Sequence, residues 1–182
     1  MNSLRYGQYL DSLSTEKLGI FCRTYLKRIW PLLIVEFQLK TMEELGITES
    51  GASANLATRD AIDELDNLAA ECEDTDKEDY QDIIDSARYF LIFLQTADKT
   101  SATTGLDYFL SYVERWLDET SELVSEVRPG ERLQELNSIH SSPLYRGELD
   151  YFYNLVLSLK VKGNLKDPDV PISSTLIQYR FK

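Results

Sequence analysis

The chain has 182 residues, of which 43% are hydrophobic, and its 31 acidic and 19 basic residues give a formal net charge of −12. This length suits one domain, which is large enough to bury a stable core without disulfide bonds or bound metals. The low counts of 8 Gly, 5 Pro and 2 Cys exclude collagen-like, low-complexity and disulfide-rich classes. So negative a chain is a poor binder of nucleic acid or anionic membranes, and we expect neither as a partner.

The first predicted helix begins after an N-cap at Ser14, with Glu16 in its first turn. Apolar residues follow at helical spacing as far as Ile29. Pro31 should break or kink this helix, because proline has no N–H to donate and clashes with the preceding turn. A second helix is predicted to restart at Pro31 and to end at Gly46, which would serve as its C-terminal cap.

Three more helices are predicted in the middle of the chain. One spans about 54–72, and the next begins at an N-cap at Asp76 and carries the strongest apolar stripe in the sequence. The width of that stripe predicts a central helix, buried on more than one side. A further helix should begin at Thr100 or Ser101 and end at the Arg-Pro-Gly step at 128–130.

The last predicted helix starts at Pro143, behind a cap at Ser141 or Ser142, and ends at Gly163. Residues 164–182 are predicted to form a short irregular or extended tail that packs on the helices. No pair of segments has a strand pattern strong enough to form a sheet. We therefore expect an all-α fold, in which residues 1–182 form a single-domain helical bundle of about six to seven helices.

The cysteines and the hydropathy of the sequence indicate in which cellular compartment the protein is expected. Cys22 and Cys72 are isolated from each other in sequence, which is typical of reduced thiols that pack as small core residues in the cytoplasm. The N-terminus has no apolar run of the kind found in a signal peptide. The longest apolar stretch, Ile29–Val35, is far shorter than the ~20 residues of a membrane span. A cytoplasmic protein with no membrane partner is expected.

The negative charge is concentrated in one segment. Residues 43–85 have a net charge of −13, whereas the rest of the chain has +1. Asp79, Asp82 and Asp85 recur every three residues, close to one side of a helix and without compensating bases, so they should repel one another. A solvated helix face is the alternative reading, but uncompensated repulsion favours a surface kept for a positively charged partner. The predicted partner-binding residues are Asp74, Asp76, Glu78, Asp79 and Asp82.

A second candidate surface lies near the start of the last helix, where Tyr145, Glu148 and Tyr151 cluster in sequence. Tyrosine suits protein interfaces because it buries a large ring and keeps a polar group available. Half-buried edges of a helical core are an equally good explanation of the same residues.

No catalytic or metal-binding motif is present, and we predict neither a cofactor nor catalytic residues. The segment from Asp74 resembles a calcium loop only superficially, because Asp79 and Asp85 stand where that loop requires Gly and Glu. The single histidine, His140, cannot form a two-histidine site. One alternative function is a magnesium-dependent helical nucleotide hydrolase, with ligands drawn from Glu43, Glu44, Asp63, Asp79 and Asp82. Another is an adaptor for a partner that is not a toxin.

Several apolar and aromatic motifs carry a resemblance to a known group of proteins. These are LKRIWPLLIVEF with its Trp30-Pro31 step, then ARYFLIFLQTA, then SPLYRGELDYFYNLVLSL, in which Pro143 is followed by Glu148. The order of these motifs around acidic helices is similar to that of the YjaG-like uncharacterised all-helical bacterial proteins and the related polymorphic-toxin immunity family, number five. The tail beyond Gly163 departs from the pattern, because it is longer and richer in proline.

The resemblance implies an immunity protein, which binds a cognate toxin domain and is not an enzyme. Many toxin domains act on nucleic acids or nucleotides and are basic around the active site. That property would complement the acidic segment of this chain. The resemblance carries over no catalytic residues.

Overall fold

The computed structural model describes residues 3–47, 52–72, 80–120 and 139–161. Every regular element in these ranges is a helix, so the predicted all-α bundle is confirmed. The helices are α1 (Ser3–Asp11), α2 (Thr15–Phe37), α3 (Ala52–Cys72), α4 (Gln81–Thr96), α5 (Lys99–Thr120) and α6 (Pro143–Val161).

Helix α1 was not predicted from the sequence. It is a nine-residue helix that packs against α5, and its residue Leu10 is fully buried. Gly7 of α1 faces Thr103 of α5, and a Cβ at this position would make an ordinary van der Waals contact, 3.7 Å from Cγ2 of Thr103. So short a helix is marginal in isolation, and its stability comes from tertiary packing.

Helix α2 continues through Pro31, so the predicted break at this residue is wrong. A proline inside a helix costs roughly 3 kcal/mol. On both sides of it, however, α2 is anchored in the core by Ile29, Trp30, Leu32 and Leu33, each at most 2% exposed. Burial of a large apolar side chain contributes about 1.5–3 kcal/mol. Burial of four such residues therefore outweighs the cost of the proline.

The predicted helix over 31–46 is also too long. Helix α2 ends at Phe37, where Gln38 adopts a left-handed conformation with φ 57°. The chain then turns back, and the indole Nε1–H of Trp30 donates a hydrogen bond of 2.9 Å to the carbonyl of Lys40. Gly46 does have a positive φ of 70°, but it lies in a turn, not at the end of a helix.

The remaining predicted helices agree with the structure wherever it describes them. Helix α3 starts two residues before the predicted position, and α5 starts at Lys99 behind Asp98, whose carboxylate accepts from the N–H of Thr100 at 3.2 Å. Ser142 caps α6 as expected, because its Oγ accepts from the N–H of Tyr145 at 3.1 Å. The predicted cap at Asp76, the predicted helix end at 128–130 and the tail at 164–182 lie outside the described residues.

Helix α4 is the centre of the bundle, as its wide apolar stripe predicted. It packs against α5, α3 and α2, whereas α6 packs on α2. Phe90 of α4 lies in an aromatic core with Phe21 and Tyr25, at ring-centroid distances of 6.2 and 5.6 Å. Cys22 and Cys72 are free and buried, in line with their predicted role as small core residues.

Candidate protein-interaction site

The outer side of α3 carries exposed acidic residues. Ala61, Leu65 and Cys72 bury the opposite side of the helix in the core. The helical period therefore directs the polar positions between them to solvent. We define the acidic face as the four exposed carboxylates of α3 that form no ion pair within the part of the chain that the structure describes: Asp60, Asp63, Glu64 and Glu71.

Three aspartates beside this face are neutralised, contrary to the prediction that Asp82 and Asp85 have no compensating base. Asp82 lies 3.0 Å from Nη2 of Arg115 on α5. Asp85 and the α3 residue Asp66 both contact Arg88, at 3.1 and 2.8 Å. Arg115 is 33 residues from its partner in sequence, so only the packing of α5 on α4 brings this base to the aspartate.

Asp82 was predicted to be an exposed partner-binding residue, but the structure places it in a largely buried position. It is 9% exposed, and its carboxylate is oriented toward α5. Burial raises the pKa of Asp82, and the charge and hydrogen bond of Arg115 oppose that rise. Its direct role is therefore to join α4 to α5. The other four residues of the predicted acidic surface, Asp74, Asp76, Glu78 and Asp79, lie outside the described residues.

A pair of stacked tyrosines lies next to these ion pairs. Tyr89 of α4 and Tyr108 of α5 stack with their centroids 5.6 Å apart and an interplanar angle of 14°. The guanidinium of Arg88 lies over the Tyr89 ring at 4.9 Å from its centroid. Both rings are partly exposed. Sequence reasoning missed this pair, because nothing in the sequence aligns position 89 with position 108.

The second predicted surface is mostly interior. Tyr145 and Glu148 are each 2% exposed, and only Tyr151 is partly accessible. Nη2 of Arg28 on α2 lies 2.7 Å from both carboxylate oxygens of Glu148, and its guanidinium lies over the Tyr151 ring at 3.8 Å. Direct contact of Tyr145 and Glu148 with a partner would require exposure that the folded chain does not give them.

Burial shifts the pKa values of two groups at this contact, Glu148 and Tyr151. Burial raises the pKa of Glu148, and the charge of Arg28 opposes the rise. Burial also raises the pKa of Tyr151. Since an unpaired buried charge is costly, the contact of Arg28 with Glu148 offsets part of the cost of burying the two side chains. This is a structural link between α2 and α6.

The lone histidine also has a structural contact. Nε2 of His140 lies 2.9 Å from Oε1 of Glu114 on α5, and its ring packs on Tyr145 with centroids 5.0 Å apart. These contacts join the chain before α6 to α5.

Acids proposed as magnesium ligands do not converge where the structure describes them. No group of three or more His, Cys, Asp or Glu in the described ranges is arranged to hold a metal ion. Glu43, Glu44 and Asp63 are exposed, whereas Asp82 is paired with Arg115. Asp79, the fifth of these acids, is outside the described residues.

An open groove of about 410 Å³ lies between α1 and the start of α5. The residues that line it include Asp11, Lys99, Thr103 and Asp107. The ammonium of Lys99 donates to the backbone carbonyls of Asp11 and Leu13, at 3.2 and 3.0 Å, and so it ties the start of α5 to the end of α1.

Comparison with known proteins yields no relative. No protein-family model matches the chain, and no curated protein or solved structure shows a significant match. Among the helices in the described ranges, none is long and apolar enough to cross a membrane.

Proposed function

We propose that this protein is an immunity protein that binds a cognate bacterial toxin and neutralises it by protein–protein contact. The observation that carries the proposal is the acidic face of α3, whose four exposed carboxylates have no ion-pair partner among the described residues. The resemblance of the chain's motifs to an immunity-protein family supports the same assignment. On this proposal the protein acts in the cytoplasm, is not an enzyme and needs no cofactor.

The contrast between paired and unpaired acids supports a binding role for the acidic face. Asp66, Asp82 and Asp85 are each paired with an arginine. Uncompensated carboxylates on a helix repel one another, which costs a few tenths of a kcal/mol for each close pair. A basic partner removes that repulsion on binding and is steered to the surface by the field of the acids.

In the sequence, the residues of the predicted acidic surface follow directly after the acidic face. Helix α3 ends at Cys72, and the next seven residues include Asp74, Asp76, Glu78 and Asp79. We propose that this segment extends the acidic face into one continuous toxin-binding surface. A toxin domain that is basic around its active site is the partner that such a surface fits.

The experiment that tests this function is co-expression with the product of the gene directly upstream. We expect the chain to rescue growth of cells that express this product and to co-purify with it. A copy of the gene with an early stop codon should not rescue growth, which controls for an effect of the transcript. Absence of both rescue and co-purification with the wild-type chain would contradict the assignment.

Charge reversal on the acidic face should slow binding to that toxin. We expect Asp63→Lys to lower the association rate about threefold or more at low salt, because rim charges act mainly on diffusional encounter. Stopped-flow measurements over a range of salt concentrations check this, and the salt dependence should become shallower. Asp150→Lys on α6 changes an exposed carboxylate and the net charge by the same amount, and it should leave the rate nearly unchanged.

The acidic segment after α3 is tested in the same way. Asp76→Lys/Asp79→Lys should slow association at least as much as Asp63→Lys, if the segment and the acidic face form one surface. Equal rates for these variants, Asp150→Lys and the wild-type chain would show that toxin binding does not use this surface.

A further inference from the structure

The stacked tyrosines, Tyr89 and Tyr108, are an ordered aromatic patch at the surface of the bundle. Their rings are nearly parallel at 14°, and the guanidinium of Arg88 lies over Tyr89 at 4.9 Å from the ring centroid. Arg88 is itself held by Asp66 and Asp85, at 2.8 and 3.1 Å. These contacts join α3, α4 and α5. The patch is therefore pre-organised, which reduces the entropy lost when a partner binds.

The composition of the patch is that of an interface anchor. Tyrosine and arginine are enriched among the residues that contribute most binding energy, whereas exposed acids contribute mainly to rate. Both tyrosines remain partly exposed, as does Arg88. The patch also adjoins the acidic face, because Asp66 lies on α3 one helical turn after Asp63.

The ion-paired groups beside the two rings, three aspartates with Arg88 and Arg115, leave one excess negative charge. Partial burial raises the pKa of Tyr108, the carboxylates of Asp85 and Asp82 raise it further, and Arg88 partly opposes them. The two arginines near the ring, Arg88 and Arg115, are both held in ion pairs with aspartates. A planar guanidinium can stack on the exposed part of the Tyr108 ring, and the excess negative charge favours it over a neutral side chain.

We propose that Tyr108, together with Tyr89, receives an arginine side chain of a basic protein partner. The proposal rests on the function proposed above and specifies its interface further. The tyrosine patch anchors the partner and sets the dissociation rate, and the neighbouring acidic face steers the partner toward it.

A pair of peptides tests the patch without the toxin. A Gly-Arg repeat peptide and a Gly-Lys repeat peptide of the same length carry equal charge, but only arginine presents a planar group for stacking. We expect the wild-type chain to bind the arginine peptide about three- to tenfold more tightly at physiological ionic strength. Isothermal titration calorimetry measures both affinities. Equal affinities for the two peptides would overturn the proposal.

Matched variants show which residues are responsible for the preference for the arginine peptide. Tyr108→Leu should abolish the preference for arginine and leave the affinity for the lysine peptide unchanged, whereas Tyr108→Phe, which keeps the ring, should retain it. Asp60→Asn/Asp63→Asn should weaken both peptides equally. Tyr153→Leu on α6 should change neither. An arginine preference that survives Tyr108→Leu, in a variant with a wild-type circular dichroism spectrum, also overturns the proposal.

The toxin provides a separate readout. Tyr108→Leu should raise the dissociation rate of the upstream gene product about tenfold, with little change in association rate, and Tyr108→Phe should not. If that product does not bind the wild-type chain, the proposed function fails, while the peptide preference still decides the role of the patch. If it binds and Tyr108→Leu dissociates at the wild-type rate, the proposed function stands and the anchor is wrong.

Discussion

Replacement of Glu148 by alanine is expected to destabilise the protein by about 3–5 kcal/mol. The variant would leave the guanidinium of Arg28, whose side chain is 2% exposed, without the carboxylate that lies 2.7 Å away. An uncompensated buried cation must either remain desolvated or pull water into the core, and both are costly. Urea-induced unfolding, followed by circular dichroism, measures the loss as a lower midpoint with a similar slope.

A double replacement separates the charge from the packing. Arg28→Met/Glu148→Leu removes both charges and keeps most of the buried volume, so we expect it to recover most of the stability lost in Glu148→Ala. A double variant as unstable as the single variant would show that the pair stabilises the fold beyond mutual neutralisation. Contacts of Arg28 with the surrounding aromatic rings would then account for the extra stability. Tyr25, Phe109 and Tyr151 have ring centroids within 5.7 Å of its guanidinium carbon.

The raised pKa of Glu148 predicts a pH dependence. A carboxyl group with a higher pKa in the folded chain than in the unfolded chain binds more protons when folded. Its contribution to stability is therefore complete below the unfolded value, about 4.3, and is lost as the pH rises through the folded value. We expect the free energy of unfolding of the wild-type chain, relative to Glu148→Gln, to fall over that range. A relative stability that increases with pH would mean that Arg28 favours the carboxylate more than burial disfavours it.

Phe90→Ala should be similarly damaging, with an expected loss of about 3–5 kcal/mol. Phe90 is fully buried on the central helix, and its ring packs against Phe21 and Tyr25. It also fills the space above Gly105 of α5, where a Cβ would lie only 2.9 Å from Cδ1 and Cε1 of the ring. Thermal and urea unfolding measure the effect. Phe90→Leu, which removes less volume, should lose clearly less than Phe90→Ala.

The contact between Phe90 and Gly105 makes a double-mutant cycle informative. Gly105→Ala alone should destabilise the protein by about 1–3 kcal/mol, because the collision with the ring outweighs the roughly 1 kcal/mol that alanine gains over glycine in a helix. In a Phe90→Ala background the collision is absent, so the same change should be stabilising by about 1 kcal/mol. Equal effects in the two backgrounds would contradict close packing at this point.

Much of the helical fold follows from local pattern. The wide apolar stripe from Tyr80 to Leu94 predicted a central helix, and α4 does pack against three others. Caps were readable too, as Ser142 shows at the start of α6. Errors arose where tertiary burial overrode local preference. Pro31 does not interrupt α2, because the apolar residues on both sides of it are buried in the core.

The candidate site was less predictable, because its charges pair across helices. In the sequence, Asp82 and Asp85 looked uncompensated, yet Arg115 of α5 and Arg88 of α4 neutralise them. Arg88 is three residues from Asp85, so this pair could have been predicted from helical spacing. No local rule predicts the stacking of Tyr89 on Tyr108, which depends on how α4 and α5 are aligned.

The sequence alone determined that the chain is helical, that its negative charge is concentrated in residues 43–85, and which side of each strongly patterned helix is apolar. These properties depend on residue type and on the helical period, both of which are local. Only the tertiary structure decided which charges remain exposed. Packing turned Asp82 inward and enclosed Glu148 with Arg28, but it left Asp60 and Asp63 in solvent. Whether a charge is neutralised depends on which distant side chain comes within a few ångströms of it, and only the packing of the helices sets that distance.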